Sequence, residues 1–276
     1  MTARSSLRQR LYRLALHVLA YGLVGAFLFP FLWMLICSFK DKAEVNALPP
    51  TLLFTPTLVN FQNVLAQAKF WEYALNSAVI AVAATLLGLV LGLPAAYSIA
   101  RYKQQRLALV ILLSRILPGI SYLVPWFILF TKMRMMGSYS AMTLTHLIIV
   151  LPLIVWVMVG FFEDLPVEME EAARIDGTTL IGYLVRVAIP LTKPGIAATA
   201  ILSFIFSWNN FLFSLIIGGE GTRTLPVAVF NFISYAQIDW GGVNAAATLI
   251  TLPVVLMVMA AQKHIVRGLA MGGVKG

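Results

Sequence analysis

The chain has 276 residues and a net charge of +9, and 60% of its residues are hydrophobic whereas only 11% are charged. Soluble globular proteins are about half apolar and a quarter charged, so these proportions exclude an ordinary soluble fold and require apolar surface that faces lipid. Basic residues beside the anionic inner leaflet of a membrane account for the positive charge, so a nucleic-acid partner is not expected.

Six stretches with few or no charges are each long enough to cross a bilayer as a helix, which takes about 20 apolar residues. They predict membrane spans at about 14–39, 74–100, 107–131, 137–162, 195–219 and 241–262. The predicted fold class is an all-α integral membrane protein with six transmembrane helices. Because no linker divides the chain, residues 1–276 are predicted to form one transmembrane domain.

Basic residues predict how this domain lies in the membrane. Thirteen Lys and Arg residues fall on the side of the two termini, and six fall on the other side. Cytoplasmic segments carry the excess of Lys and Arg, so both termini should be cytoplasmic. The longest outer connection then runs from about Lys40 to Tyr73, and Asn60 is a plausible N-cap for a short helix within it.

Polar residues inside the predicted spans are expensive in lipid and are therefore candidates to line a solute path. Asn76 opens the second span, and Arg115 interrupts the third. Arg115 could equally extend its guanidinium to the cytoplasmic interface from the start of its span.

The loop at 163–194 is the only strongly acidic segment, with six of the chain's 11 acidic residues between Glu163 and Gly177. A short helix is predicted here, with Asp164 as its cap, Pro166 in its first turn and Gly177 at its end. A second amphipathic helix is expected to begin after Thr178 as N-cap and to end near Pro190. A solvated loop helix without a partner is the alternative interpretation.

The fifth predicted span carries a cluster of aromatic and amide side chains, Trp208, Asn209, Asn210 and Phe211. Amides bond hydroxyl groups and aromatic rings stack on apolar ring faces, so the cluster is a candidate to line a solute path. Hydrogen bonding between neighbouring helices is the alternative. The three histidines, His17, His146 and His264, form no ligand pattern, and His146 is expected to pack between helices. Neither a metal site nor a catalytic residue set is predicted.

The spacing in the acidic loop resembles a known family. Glu171-Ala172-Ala173, then Gly177, then Val187-Ala188-Ile189-Pro190 is similar to the EAA motif of permeases from binding-protein-dependent ABC importers. Asn76-Ser77, Ser114 to Pro118, Ser207 to Phe211 and the ending from Gln262 to Gly276 resemble the shorter permease of the carbohydrate-uptake branch, the branch of the maltose transporter. Asn210 stands where that branch often has Asp.

The resemblance implies the type I importer permease architecture, with a cytoplasmic coupling helix in the acidic loop. It also implies a second homologous permease, two ATPase subunits and an extracytoplasmic solute-binding protein as partners, together with membrane lipid. The residues implied in coupling to the ATPase are Glu170, Glu171, Ala172, Ala173, Asp176, Gly177 and Pro190. The chain lacks a G-x-x-x-x-G-K-[ST] sequence, so ATP and Mg are expected on the partner ATPases, with no cofactor and no catalysis on this chain.

Three other functions remain as alternatives. An ion-coupled secondary transporter of a small polar solute usually needs a carboxylate within the membrane, and the six predicted spans have none. A membrane-embedded enzyme would need a catalytic residue set. A membrane scaffold would not need the spacing of the acidic loop.

Overall fold

The computed structural model describes residues 7–67, 69–233 and 238–273. Helices make up most of these ranges, and an isolated antiparallel bridge joins Ile233 to Ile238. The first seven helices are α1 (Leu7–Ser38), α2 (Lys42–Val45), α3 (Val59–Ala66), α4 (Phe70–Arg101), α5 (Gln105–Leu113), α6 (Gly119–Lys132) and α7 (Tyr139–Glu163). The next seven are α8 (Val167–Ile175), α9 (Leu180–Tyr183), α10 (Ile189–Leu191), α11 (Lys193–Trp208), α12 (Leu212–Ile216), α13 (Leu225–Ala228) and α14 (Trp240–Gly273).

Four helices of the described chain are long and apolar enough to cross a membrane. They are Leu11–Ser38 within α1, all of α4, all of α7, and Trp240–Ala260 within α14. A fifth span results if the segment Leu180–Leu191 and α11 count together, although the two are bent by 81° at Thr192. The chain is therefore an all-helical protein with four or five long apolar spans. The four continuous spans each lie close to a predicted one, whereas the bent segment overlaps the predicted span 195–219 only over 195–208 and begins within the predicted loop 163–194.

The third predicted span, 107–131, is not one continuous helix. The chain forms α5 and α6 instead, with Ser114 to Pro118 between them. Pro118 has no N–H to donate, and a proline also disfavours helical backbone at the residue before it. Arg115 consequently lies in a break between two helices.

The fifth predicted span, 195–219, is also interrupted, because α11 ends at Trp208 and the short α12 begins at Leu212. The Asn210 side chain accepts a hydrogen bond from the backbone N–H of Phe213 at 3.1 Å. A side-chain amide that captures a backbone N–H in this way competes with helix continuation. The amide pair therefore lies at a helix break and not in the middle of a helix.

The chain divides into two compact units, and residues 1–66 with Phe232–Leu249 form the first. The loop predicted to lie outside does contain the short helix α3, but Asn60 is not its N-cap. Asn60 is the second residue of α3, and its amide donates to the carbonyls of Ser38 and Lys40 at 2.9 and 2.7 Å. These bonds fasten α3 to the end of α1, because they satisfy carbonyls that a helix end leaves free.

The second unit comprises residues 67–231 and 250–276, and its core lies among α4, α7 and α11. Glycines allow these helices to approach closely. On α4, a Cβ on Gly88 would lie 2.7 Å from the side chain of Val150, and a Cβ on Gly92 would lie 2.8 Å from that of Ile154. A Cβ on Gly195 of α11 would lie 2.6 Å from the ring of Phe161. Such small residues at helix interfaces are typical of membrane bundles.

Candidate coupling loop and solute path

The acidic loop folds as a helix followed by a sharp glycine corner. The helix α8 ends with the N–H of Gly177 donating to Arg174 O at 3.0 Å and the N–H of Thr178 donating to Ala173 O at 2.9 Å. Gly177 has a φ of +78°, in the left-handed region. These are the two bonds of a Schellman motif, in which glycine is favoured because it has no Cβ. The predicted helix end at Gly177 is confirmed.

The predicted caps of this loop were partly wrong. Asp164, predicted to cap α8, is instead the C-cap of α7. Pro166, predicted to lie in the first turn of α8, is the residue that precedes this helix. The second helix begins one residue later than predicted, because the Thr179 hydroxyl, and not that of Thr178, accepts from the N–H of Gly182 at 3.1 Å.

Glu170 joins α8 to the C-terminal end of α4. The residue is 3% exposed. Its Oε2 accepts hydrogen bonds from the hydroxyl of Tyr97 at 2.6 Å and from Nε of Arg101, and its Oε1 accepts from Nη2 of Arg174 at 2.6 Å. We call these four residues the Glu170 junction. Both carboxylate oxygens are satisfied, which is what a buried charge requires.

The charge state of the junction follows from these bonds. Burial by itself raises the pKa of Glu170. Hydrogen bonds from Tyr97 and Arg101 and the charges of Arg101 and Arg174 lower that pKa by a larger amount, so it lies below its ordinary value. Glu170 is therefore a carboxylate at neutral pH. A charge-assisted junction of this kind is stronger than one between neutral groups.

The opposite face of α8 is open to solvent. Glu171, Ala172 and Asp176 are exposed, whereas Ala173 is half-buried against the core. Ile175, the last residue of α8, is 86% exposed. We call Glu171, Ala172, Ile175 and Asp176 the coupling face. A small residue and a large apolar residue, flanked by carboxylates, suit a protein partner that approaches the helix backbone closely.

The end of the loop is irregular where the motif places Pro190. Residues Leu184–Ala188 form a π-helical turn, and Pro190 follows in the one-turn α10. Pro190 is exposed, whereas Ala188 is fully buried and its carbonyl accepts from the Thr192 hydroxyl at 2.8 Å. A proline lacks the N–H that would continue the helical ladder, and π turns are frequent at functional sites.

Sequence reasoning missed Tyr97 and Arg101 as members of the coupling region. Both belong to α4, and 69 residues separate Arg101 from Glu170. A signal was nevertheless present: an acidic loop between spans needs cations from another cytoplasmic segment, and Arg101 ends the second span.

Asn76, predicted to line a solute path, has its side chain hydrogen-bonded within the fold. The residue is 1% exposed, and its amide donates to the carbonyls of Gly221 and Arg223 at 3.1 and 3.0 Å. Its Oδ1 accepts from the hydroxyl of Tyr139. The side chain thus joins the start of α4 to the loop before α13, and its role in a solute path stays a prediction.

Arg115 lies beside a small cavity. Its guanidinium carbon is 5.4 Å from the centre of the Phe206 ring, a cation–π distance. Both residues line a cavity of about 210 Å³ together with Ser114, Tyr122 and Phe213. The structure thus brings the break between α5 and α6 close to residues that flank the break after α11.

The aromatic and amide residues after α11 have separate environments. The indole N–H of buried Trp208 donates to the carbonyl of Ile250 at 3.1 Å, and the ring of Phe211 stacks on Phe230 at 5.1 Å. Asn210 caps α12. Asn209 is exposed, and its side chain makes no hydrogen bond with another described residue. Of the four, Asn209 is the residue whose polar group is most available to a solute.

His146 lies in the core between two helices. It is 1% exposed, and its Nδ1 lies 2.7 Å from the hydroxyl oxygen of Ser207 on α11. This contact agrees with the prediction that His146 packs between helices.

Comparison with known proteins identifies the kind of protein to which this geometry belongs. The family described as "Binding-protein-dependent transport system inner membrane component" matches residues 88–271. The trehalose/maltose transport system permease protein MalG of Thermococcus litoralis is 34% identical over 256 residues, which cover 90% of this chain and 92% of that protein. The sulfoquinovosyl glycerol transport system permease protein SmoH of Agrobacterium fabrum is 33% identical over 255 residues, or 90% of this chain and 89% of that protein.

A solved structure gives the same fold. A chain of a bacterial ABC transporter involved in the import of the acidic polysaccharide alginate superposes with a TM-score of 0.77 at 20% identity, covering 95% of this chain and 99% of that chain.

Proposed function

The chain belongs to the family of inner-membrane permeases from binding-protein-dependent ABC importers, in its carbohydrate-uptake branch, and on that premise we propose that it forms half of a translocation path for a carbohydrate or a related polyol or glycoside. It is a multi-pass, non-catalytic inner-membrane subunit. Its task is to open and close the path when partner subunits bind it.

The Glu170 junction is the observation that carries the proposal. The coupling helix α8 presents one face to solvent, and on its other face a buried carboxylate joins it to the long span α4. Force on the coupling face therefore reaches α4 through short, charge-assisted hydrogen bonds. The fixed glycine corner at Gly177 keeps α8 and α9 in one arrangement.

The proposal includes the partners and topology that the sequence predicts. Two ATPase subunits bind ATP and Mg and dock on the coupling face, a second homologous permease completes the path, and a solute-binding protein docks on the outer side. Both termini are cytoplasmic, and six spans cross the membrane if the broken segments α5–α6 and α11–α12 each cross it. A reporter after Gly276 should then be active in the cytoplasm, and one near Gly221 outside.

The relatives support a carbohydrate but leave its charge open. One of them carries trehalose and maltose, which are neutral, and another carries a sulfoquinovosyl glycerol. In this chain, the cavity beside Arg115 and the exposed Asn209 are the candidate contacts along the path.

Copurification and uptake test the proposal together. A tagged chain expressed with its neighbours should bring down a nucleotide-binding subunit, and vesicles containing the complex should accumulate a labelled saccharide only with ATP and an external binding protein. Uptake driven by a proton or sodium gradient without ATP would overturn the proposal in favour of a secondary transporter.

A further inference from the structure

A buried lysine without a counter-ion lies in the first unit, just beyond the end of α1. Lys40 is 1% exposed. Its ammonium donates to the carbonyl of Thr51 at 2.5 Å and lies 4.8 Å from the ring centre of Trp33 and 5.3 Å from that of Phe54. Lysine is almost never fully buried without a paired anion, because the charge loses its hydration.

Within the part of the chain that the structure describes, Lys40 makes no ion pair. The two carboxylates that follow it in the same segment are used locally. Asp41 Oδ1 accepts from the N–H of Glu44 at 2.8 Å, and the two Glu44 oxygens accept from the N–H groups of Asp41 and Thr55, each at 3.4 Å. One carbonyl and two aromatic faces stabilise the ammonium, but they leave its charge without a neutralising partner.

Lys40 also lines a cavity. The cavity has a volume of about 350 Å³, within the range of about 300–1,000 Å³ that is usual for small-molecule sites. Two indoles, Trp33 and Trp240, line it with Lys40, and so do the amides of Asn46 and Asn244. Each amide donates through its nitrogen to a backbone carbonyl, Asn46 to Lys42 and Asn244 to Trp240, both at 2.7 Å.

We propose that this cavity binds an acidic saccharide, with Lys40 holding its carboxylate or sulfonate and the two indoles contacting its ring. Ammonium donors pair strongly with such anions, and indoles offer an apolar surface with a polar edge that suits a sugar. The residues that line this cavity do not include Arg115 or Asn209. The proposal rests on the proposed carbohydrate function only for the class of ligand.

The test compares glucuronate with glucose, which differ in one carboxylate, on the full chain in neutral-lipid nanodiscs without ATP. Ligand-observed NMR should give saturable binding of glucuronate and binding at least about tenfold weaker for glucose, the ratio expected of one charge-assisted bond. Lys40→Met should lower glucuronate binding to the level of glucose. Lys42→Met, an exposed lysine of the same segment, should leave binding unchanged.

The chain's single cysteine gives a second readout that needs no variant. Cys37 lines the same cavity, so glucuronate should slow its alkylation by N-ethylmaleimide, whereas glucose should not. This measurement decides the matter if Lys40→Met fails to fold.

Equal binding of glucuronate and glucose, or unchanged alkylation of Cys37, would overturn the proposal. It would also be overturned if phosphatidylglycerol nanodiscs protected Cys37 and glucuronate did not, because the anion would then be a lipid headgroup. Because no transport is measured, failure here leaves the permease function standing, and failure of energised uptake leaves this binding result standing.

Discussion

The Glu170 junction and the break after Trp208 both place polar side chains beside apolar helices, but they satisfy those side chains differently. At Glu170, three donors from two helices occupy both oxygens of one buried carboxylate. At the break, Asn210 bonds only the backbone of the next short helix, and Asn209 is exposed with no side-chain bond to a described residue.

The Glu170 junction is thus a rigid connection between helices, whereas the break after Trp208 exposes a polar group that can bond a solute. A fully bonded buried network holds two elements in one arrangement and transmits a displacement from one to the other. An exposed amide at a helix break can exchange its partner at little cost. We therefore propose that the Glu170 junction transmits force and that the break contacts the solute, and variants in the two regions should then fail in different ways.

Arg101→Met should have the largest effect. It leaves the buried Glu170 carboxylate bonded to α4 only through the neutral hydroxyl of Tyr97, and loss of the charged partner of a buried pair costs about 3–5 kcal/mol. We expect lower thermal stability and ATP hydrolysis that no longer drives uptake. Arg174→Met is the matched control, because Arg174 also bonds Glu170 but lies on α8 itself and is 59% exposed, so its loss should cost about 1 kcal/mol or less. Equal losses in the two variants would refute the connection between α8 and α4.

Gly177→Val should act through the backbone alone. No atom lies within 4 Å of a Cβ built at Gly177, but its φ of +78° costs a β-branched residue about 1–3 kcal/mol. We expect weaker association of the ATPase, measured by copurification, and reduced uptake. Gly160→Val is the control, since that position on α7 is equally open and has no left-handed backbone. Normal uptake and normal ATPase association in Gly177→Val would remove the coupling role from this corner.

Leucine substitutions at the two asparagines should separate capping from solute contact. Asn210→Leu removes the hydrogen bond to the N–H of Phe213 in the first turn of α12, so the free energy of unfolding should fall by about 0.5–1.5 kcal/mol. Asn209→Leu removes no hydrogen bond to a described residue, so the complex should assemble with normal stability while uptake falls. Assembly and uptake measured on the same preparations decide this. If Asn209→Leu instead lowers stability, the amide bonds a neighbouring helix or subunit.

The smallest effect concerns pH. The pKa of Glu170 lies below its ordinary value of 4.5, so the stabilisation from its charge is complete above that value and is lost only as the pH falls through the lowered pKa. ATPase association of the wild-type complex should therefore not change between about pH 6 and pH 8 through this group. A loss of association within that range that disappears in Glu170→Gln would contradict the assigned charge state.

The sequence predicted the long spans, the short helix in the acidic loop and its end at Gly177, because apolar length and glycine position are local signals. It did not predict the breaks at Pro118 and Asn210, where a single residue overrides a long apolar run. The link from Glu170 to Tyr97 and Arg101 was also missed, because it joins segments about 70 residues apart and only packing brings them together. Asn60 looked like a cap in the sequence, but its side chain reaches back to the end of α1.

Photocrosslinking from Ala172 tests the central claim most directly, because this exposed alanine lies in the middle of the coupling face. A photoreactive side chain in place of Ala172 should crosslink to the nucleotide-binding subunit in the assembled complex. The same group in place of Glu220, which is exposed and lies on the predicted outer side, should not. Crosslinks from Ala172 that reach only lipid or another permease, or crosslinks to the ATPase from Glu220, would contradict the assignment of this loop as the coupling site.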